Sequence, residues 1–293
     1  MASTIRMTAI NSLCGTWVLY EPLGEDFEYE MFKAHHVDNH RQLAHARLLK
    51  STFATSVDMI QRMERIAKVL GEANLPGIPR CVRLGAVAGR SCLITELQEG
   101  PTIGRIIEEN QPVNRVAMAI NMVRLMGWLH QKGIVHGRIR PTTFLLRLID
   151  QKLALAEFGR FLPKTATSLT SRLFGKKAPP IPLKELDQTW DAPEVLQGQS
   201  PDFHSDLWSL GVLTQRLLPS KEAAPTQRMR PSAQKASSSQ ERPAISRRVE
   251  APAPIATIFE SMMQVDPSKR PENALDAFNQ LVEAHKAVKA AGA

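Results

Sequence analysis

The stretch from Ile134 to Gly159 constrains this chain more than any other. It reads Ile134-Val135-His136-Gly137-Arg138-Ile139-Arg140-Pro141-Thr142-Thr143-Phe144-Leu145-Leu146 and, after a polar turn, Lys152-Leu153-Ala154-Leu155-Ala156-Glu157-Phe158-Gly159. An apolar helix, Val116 to Gln131, leads into the Ile134-Val135 step, and Pro141 holds a turn. Two short apolar strands, 144–147 and 152–156, then form a hairpin that ends in Phe-Gly.

Upstream, Trp17 to Tyr20 and Leu23 to Ala34 read as two strands around a turn, and Gln42 to Leu49 as a third. Ser56 to Leu70 carries Met59, Ile60, Met63, Ile66, Ala67 and Leu70 at helical spacing, which predicts an amphipathic helix. Leu75-Pro76-Gly77-Ile78-Pro79 ends it, and strands follow at Cys81 to Leu84 and Ser91 to Leu97. Residues 219–254 are rich in Ser, Pro, Ala, Gln, Lys and Arg with few apolar anchors. Such a composition buries too little surface to offset ordering, so a disordered basic insert is expected there.

With 293 residues, 43% hydrophobic and 23% charged, the chain can bury a sizeable core as one large domain or two lobes. It has no apolar run long enough for a membrane span, and 1–10 lack a signal peptide's apolar core, so a cytoplasmic protein is expected. Cys14, Cys81 and Cys92 lack metal-ligand spacing and read as reduced core residues. His35, His36, His40 and His45 cluster around one strand without matching cysteines or carboxylates, and read as ordinary strand and loop histidines. The formal net charge is +8, but no aromatic-studded basic stripe accompanies it. The expectation is a solvated basic surface, not a nucleic-acid face.

Taken together, these segments resemble the eukaryotic-type (Hanks-type) Ser/Thr protein kinases from about Gly15 to about Ala284. The resemblance implies an α+β, bilobal protein-kinase-like fold. Its small lobe is an antiparallel β-sheet with one regulatory helix, and its large lobe is mostly helical. The implied division is an N-terminal extension 1–14, an N-lobe and hinge 15–100, and a C-lobe 101–293 interrupted by 219–254. The scaffold motifs are intact: Ala192-Pro193-Glu194, Asp206-Leu207-Trp208-Ser209-Leu210-Gly211, and Asp266-Pro267-Ser268-Lys269-Arg270-Pro271. They imply a buried Glu194–Arg270 ion pair and an Asp206 that braces the catalytic loop, with Phe158 and Gly159 as the Phe-Gly turn.

The same resemblance implies a catalytic site without its chemistry. His136 keeps the family's histidine, whereas Gly137 replaces the following arginine and Arg138 replaces the aspartate that accepts the substrate's hydroxyl proton. Arg140 stands for the phosphate-contacting lysine and Thr143 for the metal-binding asparagine. Glu157 replaces the metal-binding aspartate and is the one candidate metal ligand. In the glycine-rich hairpin only Gly24 is kept, and Asp26 and Tyr29 fill later glycine positions. Glu25, Asp26, Glu28 and Glu30 put negative charge where triphosphate would lie.

The strand lysine is replaced by either Ala46 or Arg47, and Glu64 is the nearest match to the regulatory-helix glutamate. A vestigial nucleotide pocket would involve Leu23, Gly24, Met31, Ala44, Thr95 as gatekeeper, Glu96, Leu97, Leu145 and Glu157. The activation-type segment 160–189 carries Thr165, Thr167, Ser168, Thr170 and Ser171, but the arginine that would receive a phosphate there is Gly137. The expectation is therefore a pseudokinase that needs no cofactor, binds ATP weakly if at all, and works through a protein partner or an active kinase. The alternatives are an atypical active kinase and a metal-independent nucleotide-sensing switch.

Overall fold

A computed structural model describes residues 9–72, 75–163, 186–218 and 251–291. The phosphorylatable positions between 165 and 171, and the predicted insert up to residue 250, lie outside the described residues.

Six strands form one antiparallel sheet: β1 (Ser12–Cys14), β2 (Trp17–Glu25), β3 (Tyr29–His36), β4 (Asn39–Leu49), β5 (Cys81–Val87) and β6 (Arg90–Glu96), in the order β1-β2-β3-β4-β6-β5. Strand β1 falls within the residues assigned above to an N-terminal extension, and it pairs with β2 through Cys14 and Trp17. Alternation sorts the side chains of β4. Ala44, Ala46 and Leu48 enter a core with Trp17, Leu19, Phe32 and Ile94 on one face, while His45 and Arg47 turn to the other.

Helix α1 (Val57–Gly71) packs on that second face through Met59, Met63, Ile66 and Leu70, which recur at helical spacing. The remaining helices are α2 (Ile103–Glu108), α3 (Arg115–Gln131), α4 (Pro193–Leu196), α5 (Phe203–Leu217), α6 (Ala253–Ser261) and α7 (Ala274–Ala291). Helix α3 starts at Asn114, whose side chain accepts from the Ala117 N–H at 2.9 Å. It buries Met118, Met122, Leu125, Met126 and Leu129; each such side chain contributes about 1.5–3 kcal/mol.

Helix α5 starts with a reciprocal capping box between Asp202 and Ser205. Two hairpin-like pairs complete the large lobe: β8 (Phe144–Leu146) with β9 (Leu153–Leu155), and β7 (Ile134–Val135) with β10 (Leu162–Pro163). Between them they hold the loop 136–143 against the base of α5. No helix among the described residues is long and apolar enough to cross a membrane.

Candidate functional site

Asp206, in the first turn of α5, organises the loop. Its carboxylate accepts from the backbone N–H of His136 at 2.6 Å and of Gly137 at 2.8 Å, and lies 3.1 Å from His130 Nε2. The Ala274 N–H donates to His130 Nδ1 at 3.0 Å, so the ring's proton sits on Nε2 and points at Asp206. Asp206 is 1% exposed, yet it is fully engaged. Gly137 has φ +70°, a conformation that costs a side-chain-bearing residue energy and that the glycine adopts freely.

Gly159 is constrained more tightly. Its φ is +49°, and a Cβ there would lie 2.5 Å from His136 Nδ1. That close approach lets His136 Nε2 donate to the Glu157 carbonyl at 3.0 Å and ties the loop to the Phe-Gly turn. Burial pushes the His136 ring below its ordinary basicity, with Asp206 opposing. The second brace is Glu194–Arg270, bidentate at 2.6 and 3.0 Å. Arg270 also donates to the Gln264 and His204 carbonyls, each at 2.8 Å.

The cleft between sheet and helices holds two adjoining cavities, of about 130 and 210 Å³, which share Met31, Arg47, Thr142, Glu157 and Phe158. The larger runs along β6 and the hinge, past Thr95, Glu96 and Leu145. Four residues expected there are elsewhere. Ala44 is buried in the opposite core, because β4 alternates in the phase that turns His45 to the cleft. Leu23 is 43% exposed, and neither it nor Gly24 or Leu97 lines either cavity. His45 takes the place expected for Ala44; burial, then Arg47, holds its imidazole well below its ordinary pKa.

The smaller cavity lies under the β2–β3 tip. Arg47, not Ala46, faces it, which settles the lysine position in favour of the arginine. Arg47 donates to the Ala156 carbonyl and lies 4.3 Å from the centre of the Phe158 ring. Burial lowers its pKa to about 10, with Glu157, Asp26 and Tyr29 opposing.

Its expected helix partner is absent. Glu64 lies on the exposed face of α1, one position past Met63, which lines the cavity. The buried charge on this helix is Arg62, which bonds Glu28 Oε1 at 2.6 Å. The lysine–glutamate bridge that the resemblance implies is thus replaced by an arginine on the helix and a glutamate on the hairpin.

The acidic hairpin does not face the cleft as a bare negative surface. Asp26 Oδ1 accepts from the N–H groups of Glu28 and Tyr29, both at 2.7 Å, and so holds the tip in its turn. Glu25 pairs with Lys50 at 3.1 Å and Glu30 with Arg90 at 2.7 Å. These links, like that of Glu28, lay beyond a sequence reading because each partner is distant in the chain.

On the loop, Arg140 is held by Asp191 at 2.8 Å and by its neighbour's carbonyl. Thr143 is fully buried, with its hydroxyl oxygen accepting the Arg140 N–H at 2.9 Å. Arg138 is half-buried and lines the smaller cavity. Burial raises the Glu157 carboxyl above the usual carboxylate range; a hydrogen bond from Thr142, then Arg47, opposes the rise, and Arg138 adds to that opposition.

Magnesium triphosphate does not fit these residues. Thr143 has its hydroxyl oxygen turned to the backbone, a guanidinium stands at Arg138, the loop 136–143 carries no acidic residue, and Glu157 lies beyond it beside the Phe-Gly turn. Among the described residues no group of three or more His, Cys, Asp or Glu could hold a metal.

Comparison with known proteins gives the class. The protein kinase domain family model matches residues 18–284, and the chain belongs to that family. Its fold is that of the Hanks-type kinases.

Among its relatives is the serine/threonine-protein kinase pkn2 of Myxococcus xanthus, 26% identical over 95% of this chain and 33% of the relative. Another is PkaA of Streptomyces coelicolor, 24% identical over 77% of this chain and 40% of that protein. The chain thus spans less than half the length of these relatives. The PknI kinase domain of Mycobacterium tuberculosis superposes with a TM-score of 0.65 at 17% identity, covering 94% of this chain and 99% of that one; this shows the shared fold.

Proposed function

We propose that this chain is a pseudokinase: a kinase fold, catalytically inactive or very weak, kept as a regulatory or scaffolding module that acts on a protein partner or an active kinase. The observation that carries the reading is Arg138, a guanidinium lining the cleft where the family places its proton acceptor. Losing a general base costs on the order of 10²–10⁴ in rate. A cation there also opposes any magnesium nearby. The intact Asp206 and Glu194–Arg270 braces support the same reading, since the fold is held while the site is emptied.

The test is phosphotransfer from labelled ATP with magnesium or manganese to a basic substrate protein and to the chain itself. The expected result is no incorporation above a denatured control. Turnover in the ~1–100 s⁻¹ range of kinases, lost on Glu157→Ala, would establish the atypical active kinase instead.

A metal-independent nucleotide switch, in which Arg138 and Arg140 would hold phosphate directly, is favoured by a single observation: three guanidinium groups, Arg47, Arg138 and Arg140, line one cavity. Thermal unfolding with ATP or ADP, each with magnesium or with chelator, separates the readings. A ligand at ~100 times its dissociation constant adds about 2.7 kcal/mol. A shift that survives the chelator supports the switch, and a shift that needs magnesium supports the kinase.

A further inference from the structure

The polar groups around the smaller cavity divide into those already engaged and those left over. Asp26 is engaged by two backbone N–H groups, Glu28 by Arg62, and Arg140 by Asp191. Glu157 accepts a hydrogen bond from Thr142, and burial favours its neutral form. Three donors are left over or only partly used. The Tyr29 hydroxyl is buried with no hydrogen-bond partner, on a residue 7% exposed. Burial raises its pKa to about 12, so it stays an O–H donor.

Arg138 makes no hydrogen bond or ion pair with a described residue, and Arg47 bonds one carbonyl although a guanidinium carries five N–H donors. Leaving a buried donor unmatched is costly. The apolar part of the wall is Met31, Met63, Ile66, Leu93 and Phe158.

We propose that this cavity binds a small monocarboxylate with an apolar body, without metal. Its carboxylate would accept from the Tyr29 hydroxyl and the Arg47 and Arg138 guanidinium groups, and its body would lie against the methionine and leucine wall. Charge selects the monoanion. Two guanidinium groups suit one carboxylate, whereas a triphosphate would bring several negative charges beside the Asp26 carboxylate. Size agrees, because a cavity of about 130 Å³ is close to one that holds a benzene ring. This inference rests on the reading that the cleft does not process magnesium nucleotide, and it gives that pseudokinase a ligand to sense.

The experiment is thermal unfolding and calorimetric titration of the full chain in chelator with benzoate, phenylacetate and isovalerate. Inorganic phosphate and ATP are run alongside. Saturable binding of at least one carboxylate is expected. Tyr29→Phe, which removes only the oxygen, should weaken it about 10-fold, and Arg138→Met about 10–100-fold, as expected for hydrogen bonds to a charged group.

Lack of binding by all three carboxylates at millimolar concentration would overturn the proposal, as would binding unchanged in both variants, or phosphate binding as tightly as the best carboxylate. The phosphotransfer assay stays separate. Activity there would sink the pseudokinase reading, whereas absence of carboxylate binding alone would leave that reading standing.

Discussion

The base of the large lobe and the cleft above it both bury charge, and they treat it in opposite ways. At the base, Glu194 and Arg270 meet through two bonds and Arg270 has carbonyl partners beyond them. Asp206 gathers two backbone donors and a histidine. In the cleft, Arg47 has one carbonyl and a ring face, and Tyr29 has no partner for its hydroxyl. Fully matched buried charges are held inside the fold with their desolvation offset; partly matched ones leave donors free for another group. The difference separates what holds the molecule together from what it presents.

The largest expected effect is at the base. Arg270→Met leaves Glu194 buried without its partner and should cost ~3–5 kcal/mol in urea unfolding; a cost below ~1 kcal/mol would remove the contrast. Arg62→Met strands Glu28 in the same way, nearer the hairpin tip, and about 3 kcal/mol is expected. That loss should be reduced in the double variant that adds Glu28→Gln, measured as a double-mutant cycle.

Arg47→Met removes a poorly matched charge and should change stability by less than ~1 kcal/mol in either direction. If it cost as much as Arg270→Met, the cleft would be as well satisfied as the base.

The smallest effect is pH-dependent. Burial raises the Glu157 carboxyl above its ordinary value of 4.5, so the folded state holds that proton more tightly than the unfolded one. The contribution favours folding below pH 4.5 and is lost as pH rises through the raised value. Glu157→Gln should therefore raise Tm at pH 8 relative to wild type and give no such gain at pH 4. An equal gain at both would assign the effect to something other than the proton.

The base was legible because its residues sit inside short motifs whose partners the resemblance specifies: Glu194, Asp206 and Arg270 could be named before their contacts were known. Part of the cleft was legible too. The alternation of Ala44, Ala46 and Leu48 against His45 and Arg47 carried the phase of β4. Likewise the helical spacing of Met59, Met63, Ile66 and Leu70 placed Glu64 away from the core. Both signals are in the sequence as periodicity, outside any motif. Glu28–Arg62, Glu30–Arg90 and Arg140–Asp191 had no such signal, since charged residues far apart in the chain give no local pattern when they pair.

By itself, then, the sequence determined the kinase fold, the order of its elements, and the arginine at the position where the resemblance expects an acidic base. The order of elements follows from local periodicity, whereas the kinase fold and the roles at the loop follow from the resemblance of its motifs to that family. Tertiary structure alone decided that the hairpin acids are engaged within the small lobe and that donors in the cleft are left without full partners. Satisfaction of a buried polar group depends on which distant chain segments surround it, and that is fixed only when the lobes are packed.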